Sequence, residues 1–273
     1  MLSPAAVRGL LADHGLAPRK TRGQNFVVDA NTVRKVVRDA GVQPGALVCE
    51  IGPGLGSLTL ALLNAGARVV AVEVDPGMVR ALRDVLAGER HVRIVQADAL
   101  GLDYRALVGD EAAVLVANLP YHVATPIVIQ ALSSAVFDRL FVMVQREVGE
   151  RWVARPGERR YSGVSVKLAA LADARIAARV SRQAFHPVPN VDSVTVRLDP
   201  RPWSHPVARP GLFALIDAGF AQRRKRLRNA LAGPERPPEA VEAALTAAGL
   251  AAGARAEELD LAAWNALAVE LGG

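Results

Sequence analysis

The chain of 273 residues holds a single cysteine, Cys49. One thiol cannot close an internal disulfide or build a cysteine-ligated zinc site. Neither a disulfide scaffold nor a bound metal is therefore expected, and the lone thiol fits a reducing, cytoplasmic setting. Uninterrupted apolar segments of about 18 residues, the length that a membrane-crossing helix needs, are missing too. The amino end carries no long apolar run behind a basic stretch, so no signal peptide is expected. Internal repeats are absent, and the nearest approach to low complexity is the alanine-rich stretch from Glu239 to Ala256. What the chain has in excess is positive charge, mostly arginine: 33 Lys and Arg stand against 27 Asp and Glu, a formal net charge of +6. Such a balance draws polyanions at long range. Because charge governs association and not fold, it is equally compatible with a basic protein that binds no nucleic acid.

With 51% of its residues apolar, the chain can build a full core, and its length suits one large domain with a small appendage. A basic lead-in ending Arg19, Lys20 and Arg22 precedes Gly23-Gln24-Asn25-Phe26-Val27-Val28-Asp29. A helix is expected next, capped by Asp29 or Asn31. Val33, Val36, Val37 and Ala40 recur at helical spacing, and Gly41 stops it. From Ala46 onward, short apolar runs alternate with helical segments. Leu47–Ile51, Val69–Val72, Val92–Val95, Ala113–Ala117 and Leu140–Val144 read as strands, with two more near 170–180 and 191–198. That alternation implies a parallel sheet covered on both faces. The glycine-rich and polar clusters fall at the carboxyl ends of the strands, where open α/β sheets hold ligands. Pro200, Pro202, Pro206 and Pro210 then interrupt regular structure, and beyond them helices are expected over 213–231, 240–248 and 261–271. The expected division is a catalytic domain over residues 1–200 and a small helical domain over 204–273.

Three strand ends carry a cofactor-type pattern. Gly52-Pro53-Gly54-Leu55-Gly56 lies between a strand and a helix, where glycines let a ligand approach the backbone and the helix offers free N–H groups. The pattern alone also fits dinucleotide enzymes and plain tight turns. Its G-x-G-x-G spacing, unlike G-x-G-x-x-G, favours a methyltransferase, as does Glu50 just before it, placed for the cationic tail of a ligand. Glu73, 21 positions beyond Gly52 at the end of the next strand, can accept the ribose hydroxyls of an adenosyl group. Asp75 better suits a cap on the helix that follows Pro76. Asp98, after the third strand, can accept an adenine amino group or serve only as a loop residue.

Asn118-Leu119-Pro120-Tyr121 is the most specific signal. The exocyclic N6 of adenine is a poor nucleophile because its lone pair is delocalised into the ring. An asparagine oxygen and a nearby backbone carbonyl can accept both N–H groups and aim the lone pair at an electrophilic methyl. Pro120 stiffens the loop and fixes the Leu119 carbonyl, while Tyr121 can stack on a base that has left its helix. In Phe185-His186-Pro187-Val188-Pro189-Asn190-Val191-Asp192-Ser193, the prolines hold an extended loop, and Phe185 can close the base pocket opposite Tyr121. His186 is read as structural. Further on, Arg223, Arg224, Lys225, Arg226 and Arg228 place five basic residues within six positions. They are read as one face of a helix anchored by Phe213, Ile216, Phe220, Leu227 and Leu231. Such a face suits RNA phosphates or is simply solvated.

These stretches together resemble the KsgA family of ribosomal small-subunit RNA adenine dimethyltransferases. The matching segments are Gly23 to Phe26, Glu50 to Thr59, Asn118 to Tyr121 and Phe185 to Ser193, and the basic segment fits the family's small C-terminal domain. The resemblance implies a Rossmann-like seven-stranded class I methyltransferase sheet of the α/β class with a small C-terminal helical domain. It implies S-adenosyl-L-methionine as cofactor. It also implies dimethylation of N6 on two neighbouring adenines of 16S ribosomal RNA, linked to ribosome biogenesis. It implies that Asn25 and Val27 contact the cofactor, roles the residues do not themselves disclose, along with Gly52, Gly54, Glu73, Asp98 and Asn118. Val27-Val28 departs conservatively from the commoner Phe-Leu. A monomer is expected when free of the ribosomal particle.

Three rivals remain at this level. Macrolide-resistance enzymes acting on large-subunit RNA usually carry Ile in place of Leu119 and a Lys-bearing glycine loop, so Leu119 and Pro53 to Gly56 favour the small subunit. A non-catalytic assembly factor would tolerate loss of Asn118 or Tyr121, and both are present. A nicotinamide oxidoreductase would need an acid/base pair at a hydride-transfer site, for which no candidate is found.

Overall fold

The computed structural model describes residues 1–17, 25–120, 123–223 and 225–272. By internal contacts the chain forms two compact units, one of residues 1–149 with 173–200 and the other of residues 150–172 with 201–273. The proline-rich stretch near 200 marks one passage between units. The excursion through 150–172 has no comparable mark in the sequence.

The first unit opens with α1 (Pro4–Asp13), a helix within the stretch ahead of the basic lead-in's end. Ser3 caps it and Pro4 starts it, a favoured pairing at helix N-termini. Its Val7 and Leu11 bury against Phe26, Leu55, Met78 and Ala81. Strand β1 (Phe26–Val27) and helix α2 (Ala30–Asp39) follow, and Asp29 caps α2 by accepting from the Thr32 N–H at 2.7 Å. The alternation foreseen from the sequence comes next: β2 (Leu47–Ile51), α3 (Ser57–Asn64), β3 (Arg68–Glu73), α4 (Pro76–Val85), β4 (Val92–Gln96), α5 (Tyr104–Val108), β5 (Ala113–Asn118), α6 (Ala124–Ser133) and β6 (Phe137–Gln145). Helices α7 (Arg146–Trp152) and α8 (Gly163–Leu171) lead to β7 (Ala172–Val180), the two-residue β8 (Phe185–His186) and β9 (Ser193–Pro200).

Seven strands form one sheet in the order β4-β3-β2-β5-β6-β9-β7, while β1 and β8 pair apart from it, antiparallel. The five strands β2 to β6 are parallel, but β9 enters antiparallel against β6. The sheet is therefore mixed, not purely parallel. Strand β2 is buried along its whole length, as a central parallel strand with helices on both faces should be.

In the second unit, α9 (Arg209–Ala221), α10 (Leu227–Ala230), α11 (Pro238–Ala247) and α12 (Leu261–Glu270) gather with α8 around Leu212, Ile216, Leu227, Val241, Leu245, Trp264 and Leu267. The single helix expected over 213–231 is corrected here: it is two helices. Gln222 leaves helical geometry at φ −128°, ψ 55°, and Arg226 is extended. The Leu227 N–H then donates to the Ala254 carbonyl at 2.8 Å instead of to the preceding turn. Leu227 and Leu231 still reach the core because the short α10 returns to it.

Gly56 shows how tightly the glycine turn is fitted. It caps α3 at φ 89°, and a Cβ there would meet Leu82 Cδ1 at 2.7 Å. We expect Gly56→Ala to destabilise the protein by about 1–3 kcal/mol through backbone strain and overpacking. Urea unfolding checks this, and an unchanged midpoint would show that Leu82 and the turn absorb the methyl group.

Candidate active site

The register of the parallel strands creates the site. Ile51 pairs with Val72 and with Ala117, Glu73 with Gln96, and Asn118 with Met143, so strand ends β2 to β5 finish in one row. Beyond that row lies a cavity of about 580 Å³. Asn25, Val27, Gly52, Gly54, Glu73, Asp98, Asn118, Leu119 and Pro120 all line it. Residues separated by up to 95 positions are thus brought to one concavity.

Glu73 is only 7% exposed. Its Oε2 accepts the Gly54 N–H at 3.1 Å, and its Oε1 accepts the N–H groups of Val74 at 2.9 Å and Asp75 at 3.0 Å. Burial pushes its pKa up, and these three amides pull against that rise. A carboxylate offers about four lone-pair sites, so one acceptor position remains. Glu73 can take one hydroxyl of a vicinal diol as it stands, and a second only if an amide lets go. Asp75 does act as the cap on α4, accepting from Gly77 at 2.8 Å. Asp98 caps the following 3-10 turn through Oδ1, which accepts from the Leu100 N–H at 3.0 Å. Its other oxygen is not committed to that cap.

Asn118 ends β5. Its Nδ2 donates to the Asn25 carbonyl at 3.1 Å, which fixes the amide plane and leaves Oδ1 as the end able to accept from a ligand amine. The Leu119 N–H donates to the Met143 carbonyl at 3.0 Å, and its side chain is buried, so the turn is held from below. Tyr121 and Arg224 lie outside the described residues, as do Arg19, Lys20, Arg22, Gly23 and Gln24.

Phe185 is placed differently from expectation. Its ring is 2% exposed in the main core, and it does not line the cavity. Pairing of Phe185 with Val27 across β8 and β1 turns it inward, so it supports the cavity wall from behind. The basic run also changes character, because Arg223, Lys225 and Arg226 lie outside any helix. Arg223 is bound to Glu257 at 2.7 Å and to the Arg159 carbonyl at 3.1 Å. Arg228 pairs with Glu239 at 3.1 Å and Glu242 at 2.8 Å. Lys225 and Arg226 are exposed.

Some lining residues escaped the sequence reading. Val74 and Leu100 are 55% and 40% exposed, unusual for apolar side chains. Each follows a strand-end acid and borders the cavity, placed to cover a flat ring. The signal was available: an apolar residue directly after Glu73, and another two positions after Asp98. Cys49 is buried and its thiol is pushed up to about 12 by burial and by Glu50, so it is no nucleophile. Among the described residues, no group of three or more His, Cys, Asp or Glu is placed to hold a metal ion, and no helix is long and apolar enough to cross a membrane.

A seven-stranded mixed sheet with a glycine turn and acids at successive strand ends defines a Rossmann-like methyltransferase. The profile described as "Ribosomal RNA adenine dimethylase" matches residues 16–271. The chain belongs to that family. It is 48% identical over 265 residues to the ribosomal RNA small subunit methyltransferase A of Streptomyces avermitilis, covering 95% of this chain and 90% of that one. It is also 48% identical to the protein of that name from Thermobifida fusca, covering 96% and 93%. Among solved structures, it resembles the 23S rRNA methyltransferase ErmE, at TM-score 0.67 and 29% identity over 91% of this chain and 100% of that one. A dimethyladenosine transferase from Plasmodium falciparum shares the fold, at TM-score 0.74 and 23% identity over 89% and 95%.

Glu50 supplies the last feature of the cavity. It is 1% exposed, its Oε2 has no hydrogen-bond partner, and the Ser57 hydroxyl nearby in sequence is likewise buried without one. Burial, and then the charge of Glu73, push its pKa from the ordinary 4.5 up to about 8. The folded protein therefore keeps a proton that the unfolded chain releases near 4.5. Stability of the ligand-free protein should fall as pH rises from 4.5 to about 8 and level off above that. Thermal unfolding from pH 5 to 9 with Glu50→Gln alongside checks this. A difference between the two proteins that does not vary with pH would remove Glu50 as the source.

Proposed function

We propose that the chain binds S-adenosyl-L-methionine in this cavity and dimethylates N6 of two adjacent adenines in small-subunit ribosomal RNA, as a step in ribosome biogenesis. The observation that carries the reading is the orientation of Asn118: its N–H is spent on Asn25, so an oxygen faces the space beside the glycine turn. The cavity's own chemistry fits the cofactor. At Gly54 the glycine turn leaves little room for a side chain, since a Cβ there would meet Phe26 Cε1 at 3.0 Å. The unpartnered oxygen of Glu50 suits a cationic amino-acid tail. Glu73 takes a ribose hydroxyl, Asp98 an adenine amino group, and Val74 and Leu100 the faces of the ring. When bound, the cofactor supplies an electrophilic methyl group on its sulfonium.

Everything else is asked of the chain. Asn118 Oδ1 and the Leu119 carbonyl accept the two N–H groups of the target amine, which directs its lone pair toward the methyl group. Pro120 keeps that carbonyl in place, and Tyr121 is the residue to which we give base stacking. Once it carries the new methyl group, the target nitrogen would be cationic and would lose a proton to water. No protein base is needed, and His186 is given no part. Residues 1–200 would form the catalytic domain and 204–273 the RNA-binding domain, with Arg223, Arg224, Lys225, Arg226 and Arg228 near phosphates. The chain would work in the cytoplasm, as a monomer when free.

The small subunit is preferred over the large because relatives named for the small subunit reach 48% identity, against 29% for the 23S enzyme. Primer extension after incubating cofactor with unmethylated small subunits, and with large subunits in parallel, tests this directly. Stops on adjacent adenines of the small subunit alone are expected, and stops on the large subunit alone would overturn the reading. We further expect Asn118→Ala to reduce single-turnover methylation at least about 100-fold while calorimetric affinity for the cofactor falls less than about tenfold. That split is expected when an interaction acts mainly in the transition state. Undiminished turnover would relieve Asn118 of its role.

A further inference from the structure

We propose that Tyr104 and Gln130 are positioning residues that hold the turn bearing Asp98 and Leu100, and thereby set how strictly the cavity demands a 6-amino purine. The inference rests on the reading of this cavity as the seat of an adenosyl cofactor. Neither side chain lines the cavity itself, where Ala97, Asp98, Ala99 and Leu100 form one stretch of wall. That stretch runs into a short 3-10 turn, Ala99–Gly101, between β4 and α5. The turn has few bonds of its own. The Leu100 N–H donates to Asp98 Oδ1 at 3.0 Å, and the Gly101 N–H to the Asp98 carbonyl at 3.0 Å. At its start, the Ala97 N–H donates to the Glu73 carbonyl at 3.1 Å. The geometry of 3-10 hydrogen bonds is poor, and this turn also carries the exposed Leu100 at the cavity's edge.

Two side chains supply what the turn lacks. The Tyr104 hydroxyl donates to the Ala99 carbonyl at 3.1 Å, and Gln130 of α6 donates from Nε2 to the Leu102 carbonyl at 3.0 Å. These grips lie on either side of Leu100 in the chain. Tyr104 is fully buried, its ring edge-on to Phe137 with centroids 5.4 Å apart. A phenylalanine would fill that space without a hydroxyl to satisfy, so what the hydroxyl adds is the hold on Ala99. Burial pushes the phenol well above its ordinary range, which keeps it a donor near neutral pH. Gln130 acts from a different element. Because α6 also lines the cavity through Ile127, its bond to Leu102 sets the spacing between two walls. A carboxylate fixed beside a purine ring accepts from a 6-amino group and repels a 6-carbonyl. On a loose turn it could swing aside and tolerate both.

The test is calorimetric affinity for S-adenosyl-L-homocysteine and for S-inosyl-L-homocysteine, in which a carbonyl replaces the adenine amino group. It compares the parent chain, Tyr104→Phe, Gln130→Ala, and Val108→Ala, which trims the buried side of α5 and removes no side-chain hydrogen bond. The parent should prefer the adenosyl compound by at least about 30-fold. Tyr104→Phe and Gln130→Ala should each weaken the adenosyl compound by about 5- to 20-fold, as loss of one buried hydrogen bond allows. The inosyl compound should stay within about threefold, so the preference narrows, while Val108→Ala should keep the parental preference. Parental preference in both variants, folded by circular dichroism, would overturn the proposal. Equal weakening of both compounds would overturn it too, since a merely structural role moves the two together. If Tyr104→Phe fails to fold, Gln130→Ala decides alone. A parent that binds both compounds equally would remove Asp98 as the amino-group acceptor and the proposal with it, and a parent that binds neither would overturn the cofactor reading first.

Discussion

The carboxylate of Glu73 ties together the end of β3, the glycine turn and the approach to α4. Two of its three amide hydrogen bonds close the chain just beyond it, at Val74 and Asp75, and the third reaches across to Gly54 in the glycine turn. Removing it would leave three N–H groups facing a partly dry cavity, and each unsatisfied group costs about 1–3 kcal/mol. The backbone of the turn is already unusual: Gly52, Gly54 and Gly56 all have positive φ. Such a turn keeps its shape only if something fixes its amides, and the acid at the neighbouring strand end does so. The sheet register sets where that acid stands, so one parallel ladder determines the shape of the cavity floor.

Charge is organised on a different principle in the second unit. The basic run 223–228 is contiguous in sequence but divided in space, because the helix breaks at Gln222 and two of its arginines meet carboxylates. Lys225 and Arg226, from the same run, stay exposed. Density of arginine along the chain therefore says less about an anion-binding surface than which arginines the fold leaves without an acid.

Most of the first unit is legible in the sequence because strand ends, caps and glycine turns are local chemistry. Leu47–Ile51 was read to the residue, and Asp29 and Asp75 cap the helices that follow them. What was missed depends on contacts distant in sequence. Helix α1 is short and its apolar residues, Val7 and Leu11, find their purpose only against Phe26 and Met78. Apolar spacing at Phe213, Ile216, Phe220, Leu227 and Leu231 correctly named core residues yet implied one continuous helix, since periodicity cannot see the bond from Leu227 to Ala254. Phe185 was judged by its loop chemistry, whereas its pairing partner Val27 decides where the ring goes. The antiparallel insertion of β9 likewise has no signature in its own residues.

The acid at each successive strand end has one more effect. Glu50, Glu73, Asp75 and Asp98 all border the cavity of a chain whose net charge is +6. A protein that gathers polyanions on its outside would be vulnerable to competition from adenine nucleotides, which share the adenosyl shape and are drawn by the same field. Their phosphates would have to sit among these acids, where like-charge repulsion and desolvation act together. A cavity edged in this way would favour an adenosine whose tail is cationic over one whose tail is phosphorylated.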